Sequence, residues 1–481
     1  MKYGLLSAPE GKQIGTLERL FILKFFVHLY GRNQRFSSRE NLGKRVGLSR
    51  QECSTAINSL AKNRVIKVDK QEGQLSFGII WLNREVDFGA IAQAWSNCEH
   101  RHLIDQVLAD DLEPIAKRKH QLTKTQKLLL IALLEHADSA GVARDLSNAE
   151  LAKITGLNQR MVKNQLTRLL AYSYIRCYLP GGNNALLFGK YLSTYVVNLK
   201  HKAFGSIGYK GPDLIFPATY HLLLGEPGLS VVSSLRHLVM DLGSRVSRSK
   251  TEKTKERVLE EFRPIPINID ALNRPVPRKS WEHLQWRLLD LASYIVNRHW
   301  QTLNEASFPT AKDFGVYEPL DDAKEAIDPF IEQWYQVQRR RSGRKKTAEN
   351  KPEDEVYDLF QENFALAATR GAVGLKHSLL RLVPELDPAS DGIHIQILPS
   401  NDLSEYGRFA VDLTVPHDKI WQLSTVQGSA IGSHSIYRVN RSGIEEINTE
   451  GAMSELQATG LITPPLEDPK LPSPPSRKDQ A

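Results

Sequence analysis

A chain of 481 residues, 41% hydrophobic and 25% charged, is too long for one ordinary core and has the balance of a folded protein, so two to four domains are expected. No run approaches the roughly 18 apolar residues of a membrane span, and the start, MKYGLLSAPEGKQIG, has no apolar segment ahead of a small-residue cleavage site, which reads as an unexported protein. The net charge of +8 is uneven: residues 1–200 carry 29 Lys+Arg against 17 Asp+Glu, the rest 34 against 38, which puts a polyanion-binding end first.

In chain order, TLERLFILKFFVHLYG from Thr16 has apolar residues at helical spacing. Ser37-x-x-Glu40 has the spacing of a capping box, which satisfies free amides at a helix start, and Gly47 ends that helix where a left-handed backbone favours glycine. Ser49 then caps a further helix, with Glu52 completing a second box. Cys53, Ile57 and Leu60 line its inward face, leaving Arg50, Gln51, Ser54, Thr55 and Asn58 outward. Two β-rich runs follow, separated by polar Asp69 to Gln74.

The same order returns about a hundred residues later. LGKRVGLSRQECSTAINSLAKNRVI from Leu42 lies without a gap over LAKITGLNQRMVKNQLTRLLAYSYI from Leu151, and Leu42, Gly47, Leu48, Ile57, Leu60 and Ile66 fall on Leu151, Gly156, Leu157, Leu166, Leu169 and Ile175. Ser147-x-x-Glu150 is the second copy's capping box, and Asn158 caps its next helix. Val162, Leu166 and Leu169 point inward, and Gln159, Arg160, Lys163, Asn164 and Thr167 outward, with Arg168 adding charge. Arg grips guanine edges, Asn and Gln read adenine, and Ser or Thr bond bases or phosphate, so both outward faces suit a nucleic acid.

Helix, helix, glycine turn, helix and hairpin resemble the winged helix-turn-helix family over about residues 12–86 and 122–198. The resemblance implies a recognition helix in the major groove and a wing against phosphates or the minor groove, where Lys67, Lys70 and Lys190 would act on any sequence alike. Paired units in one chain are similar to plasmid and mobile-element replication initiators. That implies sequence-specific binding of double-stranded DNA, with replication or transcription proteins recruited, or a homo-oligomer assembled, through the C-terminal half. A transcription regulator and a winged-helix protein-interaction scaffold are the alternatives.

Between the copies, residues 87–121 read as a helical connector. Its Cys98, His100 and His102 are too crowded for a usual zinc spacing, and a solvated helix is the expectation. Cys53, Cys98 and Cys177 are odd in number and scattered, which argues for a reducing, bacterial cytoplasmic setting, nucleoid-associated when DNA is bound. Residues 199–338 read as mainly helical, with Leu229 to Phe262 and Trp281 to Thr302 the clearest stretches. Trp281, Trp286 and Trp300 read as core, 339–354 as a basic linker, 355–460 as an α+β domain and 461–481 as a disordered tail.

The expected fold is therefore mainly α with small β wings: two tandem winged-helix domains, a helical region and a small α+β C-terminal domain. No Walker loop, no GxGxxG after a strand and no HExxH occurs, and in GIHIQIL it is Gln396 that stands where a nuclease His-x-His pair needs its second histidine. No enzymatic activity, cofactor or metal is expected, and no membrane partner.

Overall fold

The computed structural model of the chain describes residues 14–29, 35–70, 76–81, 88–109, 122–184, 189–209, 211, 213–216, 278–303 and shorter stretches between 319 and 447. It is mainly helical, with small antiparallel sheets and one five-stranded mixed sheet. No helix among the described residues is long and apolar enough to cross a membrane.

The first unit runs α1 (Thr16–Leu29), β1 (Arg35–Phe36), α2 (Arg39–Val46), α3 (Arg50–Lys62), β2 (Ile66–Lys70) and β3 (Phe77–Trp81), its sheet ordered β1-β3-β2. Helices α4 (Phe88–Ser96) and α5 (Arg101–Ala109) follow. The second unit repeats the order as α6 (Lys124–His136), β4 (Val142–Leu146), α7 (Asn148–Thr155), α8 (Gln159–Ala171) and β5 (Ile175–Leu179). A hairpin of β6 (Gly182–Asn184) and β7 (Gly189–Tyr191) then leads into β8 (Ser193–Val197), and the sheet is ordered β4-β8-β5. β1 and β4, short strands ahead of the middle helix, have no counterpart in the sequence reading.

The caps explain the helix limits. Gly47 and Gly156 end α2 and α7 at φ 62° and 70°, the left-handed region where a Cβ is costly. Ser49 and Ser147 form complete capping boxes with Glu52 and Glu150, and the Asn158 side chain accepts from the Met161 amide at 2.8 Å. The α2 cap differs from expectation by one residue: Ser38, not Ser37, accepts from the Asn41 amide at 3.0 Å. With Ser38 as the cap the two copies agree, each cap standing four residues before the aligned leucine, Ser38 before Leu42 and Ser147 before Leu151.

The two units share one hydrophobic core. Residues 19–26 of α1 and 126–134 of α6 are all buried, because each helix has its own unit on one side and the other central helix on the other. Polar members of α1 are used inside. Lys24 Nζ donates to the Gly47 carbonyl at 3.2 Å, while Arg19 donates to the Ile14 carbonyl at 3.0 Å and to the Ile154 carbonyl in α7 at 2.8 Å. One helix thereby holds the turn of its own unit and the turn of the other.

The described part of the connector, residues 88–109, is packed into the core instead of being a solvated helix. Phe88, Ile91, Trp95, Leu103, Ile104, Val107 and Leu108 are buried in the shared core, and His100 is fully buried, its ring nitrogens 3.1 Å from the Tyr209 hydroxyl and 2.7 Å from the Asp138 carbonyl. The apolar spacing of two short helices separated at Asn97–His100 is easily mistaken for one polar helix.

A 3-10 turn (Lys202–Ile207) leads into β9 (Asp213–Phe216), and α9 (Arg278–Arg298) precedes β10 (His394–Ile397), β11 (Phe409–Thr414), β12 (Ile436–Asn440) and β13 (Gly443–Ile447). These strands form one sheet ordered β10-β11-β9-β12-β13, with β12 parallel to β9 and the other pairs antiparallel. The central strand β9 therefore comes from the segment read as helical, so the boundary drawn at 339–354 is bridged by backbone hydrogen bonds. Four residues, Asp213 to Phe216, are too few for periodicity to reveal a strand. Trp286 and Trp300 are core, at 1% and 4% exposure. Leu229 to Phe262, the basic linker and the tail lie outside the described residues.

Candidate nucleic-acid interface

Each unit presents a short helix, a glycine turn and a second helix with one apolar and one polar face. Cys53, Ile57 and Leu60 are buried under α3, as are Val162, Leu166 and Leu169 under α8. Arg50, Gln51, Thr55 and Asn58 are exposed on α3 and Ser54 is half-buried. On α8, Gln159, Arg160, Lys163, Asn164 and Arg168 are exposed and Thr167 is half-buried. Lys67 is exposed on β2. The side chains of Lys70 and Lys190, and the hairpin tips 71–75 and 185–188, lie outside the described residues.

Several of these groups have less to offer a base than residue type suggests. The Thr55 hydroxyl donates to the Gln51 carbonyl at 2.9 Å and that of Thr167 to the Lys163 carbonyl at 3.0 Å, so each presents lone pairs and no donor. Asn58 Oδ1 accepts from Arg39 at 3.0 Å. Arg39 lies at the start of α2, outside the helix from which reading residues are chosen by periodicity.

The one carboxylate of α3 is turned away from this use. Glu52 Oε2 accepts from the Ser49 amide at 3.0 Å and the Ser49 hydroxyl at 2.8 Å, while its other oxygen meets the Lys124 ammonium of α6. Helix α8 contains no carboxylate, and exposed Met161 stands where α3 has Glu52. The basic excess of the first 200 residues is only partly a surface property. Arg19, Lys24, Lys127, Arg176 and Lys200 are buried. Burial pushes Lys127 down to about 8, helped by nearby Lys24, and Arg19 down to about 10, against the opposing pull of Glu18. The thiols of Cys53 and Cys98 are each pushed up to about 11 by burial, and that of Cys177 to about 12.

The second unit is also clasped from behind by the C-terminal body. Arg144 of β4 forks onto Asp290 of α9 at 2.5 and 2.6 Å and pairs with Asp138, while Arg287 of α9 pairs with Asp145. Both guanidiniums lie over the Trp286 ring, at 5.9 and 5.7 Å. Asp145 holds φ at 55° beside an irregularity in the β4–β8 register, an uncommon backbone for a non-glycine residue, and it stands two residues before the Ser147 cap of α7. Deeper in, Arg176 and Lys200 meet Asp213 and Asp412 in a buried four-charge cluster. Burial alone would raise Asp213, but Arg176 and Lys200 more than offset it and hold that carboxyl well below its usual range.

This seam encloses a cleft of about 870 Å³ lined by Arg144, Asp145, Tyr191, His283, Arg287 and Tyr294, among others. Arg144–Asp290 and Arg287–Asp145 match charges across the seam, and Ser139 hydrogen-bonds His394 across it at 3.0 Å, so the cleft reads as the join between two bodies. Gln396, the residue that breaks the nuclease pattern, is buried there and donates to Asp290 at 3.4 Å and the Ile397 carbonyl at 3.0 Å.

The hairpin of the second unit is held by the same helix. The Tyr191 ring of β7 lies 4.4 Å from that of His283, which accepts from Arg287 Nε at 3.4 Å. Burial, with Arg287 adding to it, pushes His283 down to about 3. A base with a lowered folded-state pKa contributes fully above its unfolded value, about 6.5, and that contribution is lost as pH falls toward 3. Lowering the pH from 7 to 4 is therefore expected to cost about 3 kcal/mol at this contact. The protection of the Tyr191 amide against hydrogen exchange, taken relative to the intrinsic exchange rate at each pH, should fall over that window. In His283→Phe, which keeps the ring and loses the titration, the fall in protection should shrink, and an unchanged pH profile would show that His283 is not the group responsible.

No family model matches the sequence, and neither a curated protein nor a solved structure does.

Proposed function

We propose that the chain is a sequence-specific double-stranded DNA-binding protein built on two tandem winged-helix units, and that it acts as a replication initiator of a plasmid or integrated mobile element. The observation that carries the reading is the pair of exposed reading faces. Each is a capped helix behind a left-handed glycine turn, its outer side rich in Arg, Lys, Asn and Gln, its one carboxylate tied into a cap or absent. In each unit two strands that follow the third helix pair with one another and with a short strand ahead of the middle helix, in the order first-third-second, the arrangement expected of a wing.

The initiator assignment is favoured over a transcription regulator by the shared core. Two units fused through α1 and α6 make one molecule that engages two half-sites without a partner subunit, whereas a regulator ordinarily reaches the second half-site by dimerising. The C-terminal body, clasped to the second unit, then supplies the surface for replication proteins or further copies of the chain.

The test is direct binding of the full chain to duplexes selected from a random pool. If about six to ten phosphates are contacted, raising salt from about 50 to about 200 mM should weaken binding by roughly 10³ to 10⁵. Alanine at Arg50, Arg160 or Asn164 should cost about 1 to 3 kcal/mol of discrimination at particular base pairs, whereas Lys67→Ala should weaken all sequences alike. Binding that ignores both salt and these substitutions would leave a protein-interaction scaffold as the better reading.

A further inference from the structure

Resting on the DNA-binding reading, we infer that Arg39 sets the base specificity of the first unit by converting Asn58 from an adenine reader into part of a donor-only pair that selects guanine. An asparagine amide recognises adenine with both of its atoms, Oδ1 accepting from N6 while Nδ2 donates to N7. In this structure Arg39 donates to Asn58 Oδ1 at 3.0 Å. Guanidinium has donors and no acceptor, so the contact also fixes which way the amide faces: Oδ1 toward Arg39 and Nδ2 away from it. The second lone pair of Oδ1 can reach adenine N6 only with the guanidinium beside it, donor against donor. Guanine presents N7 and O6, two acceptors on one edge, and meets the pair without that conflict.

The rest of the face agrees. Glu52, which would select cytosine, has both oxygens engaged by Ser49 and Lys124. Thr55 has its proton on the Gln51 carbonyl. The second unit has no such pair, because in the ungapped repeat Arg39 and Asn58 fall on Asn148 and Thr167. Asn148 Oδ1 accepts from the Tyr195 hydroxyl at 3.2 Å, and Thr167 donates to its own helix. Asn164 therefore keeps its expected use, and the two half-sites of one target must differ: guanine-specific at one position of the first, with no equivalent in the second.

The experiment is selection of duplexes from a random pool by the full chain, in the wild type and in Arg39→Ala, Arg39→Lys and Asn58→Ala. Asn58 is exposed and Arg39 half-buried, and a thermal melt of each variant checks that the fold is retained. The wild type should enrich guanine at one fixed position. Arg39→Ala should lose that preference by about tenfold or more and move it toward adenine, and Arg39→Lys, which still donates, should keep guanine. Asn58→Ala should lose discrimination at the same position. A wild-type preference for adenine there, or a guanine preference that survives Arg39→Ala, overturns the inference while leaving DNA binding intact. Failure of the wild type to enrich any sequence overturns the DNA-binding reading and this inference with it.

Discussion

Inserting five base pairs between the two half-sites of a selected target is expected to lower the affinity of the full chain roughly 10²- to 10⁴-fold, to that of a single unit. Half-sites about one helical turn apart, roughly 10 to 10.5 bp, are the simplest target for two linked reading helices, and half a turn carries one of them to the opposite face of the duplex. From the sequence alone, residues 87–121 read as a helical connector, and ten inserted pairs would restore part of the affinity if that connector could stretch. The structure changes that expectation. Helices α4 and α5 are buried in the shared core, α1 packs on α6, and Arg19 of α1 hydrogen-bonds the Ile154 carbonyl of α7. A rigid pair cannot follow a half-site displaced by a further turn of about 34–36 Å. Both insertions should therefore be poor, and only the native spacing tight. Equal affinity at all three spacings would mean that one unit alone holds DNA, and recovery at ten pairs would mean that the shared core opens.

Breaking the buried four-charge cluster is the second large effect. Arg176 and Lys200 come from the second unit and its exit, Asp213 and Asp412 from β9 and β11 of the C-terminal sheet, and all four side chains are at most 13% exposed. Removing one member leaves an uncompensated charge away from water, which costs about 3 to 5 kcal/mol, whereas replacing a matched pair by apolar groups of similar volume is often neutral. Asp213→Asn or Lys200→Met should each lower the midpoint of denaturant unfolding markedly, and Lys200→Met combined with Asp412→Leu should recover much of the loss. Hydrogen exchange should place the damage at β5, β9 and β11. Single substitutions that cost no more than those of an exposed pair, about 0.2 to 1 kcal/mol, would mean that water reaches the cluster.

The two effects bear on how the C-terminal half acts on the half proposed to read DNA. The reciprocal pairs Arg144–Asp290 and Arg287–Asp145 join α9 to the strand that leads directly into α7, and Tyr191 on His283 joins it to the hairpin of the same unit. The first unit has no comparable clasp among the described residues. Loosening the seam should thus disturb reading by α8 before reading by α3.

What the sequence determined by itself is whatever is local or repeated. Two copies of a capped helix, a glycine at a left-handed turn and a helix with one apolar face are written in side-chain type and spacing, so α2, α3, α7, α8 and their buried residues Cys53, Ile57, Val162 and Leu166 were all legible. What tertiary structure decided depends on contacts between residues far apart in the chain. The partner of a buried cation has no local signature, so Arg19, Lys24, Arg176 and Lys200 counted as surface charge when they serve carbonyls and carboxylates in the interior. A four-residue strand such as β9 is fixed by its neighbours β11 and β12, and its own pattern is too short to show. Hydrogen-bond capacity is shared too: residue type made Asn58 a reader of adenine, and only the folding of α2 against α3 brought Arg39 to its carbonyl oxygen. Periodicity tells which face of a helix looks outward, but what that face can donate or accept is settled by the neighbours it acquires on folding.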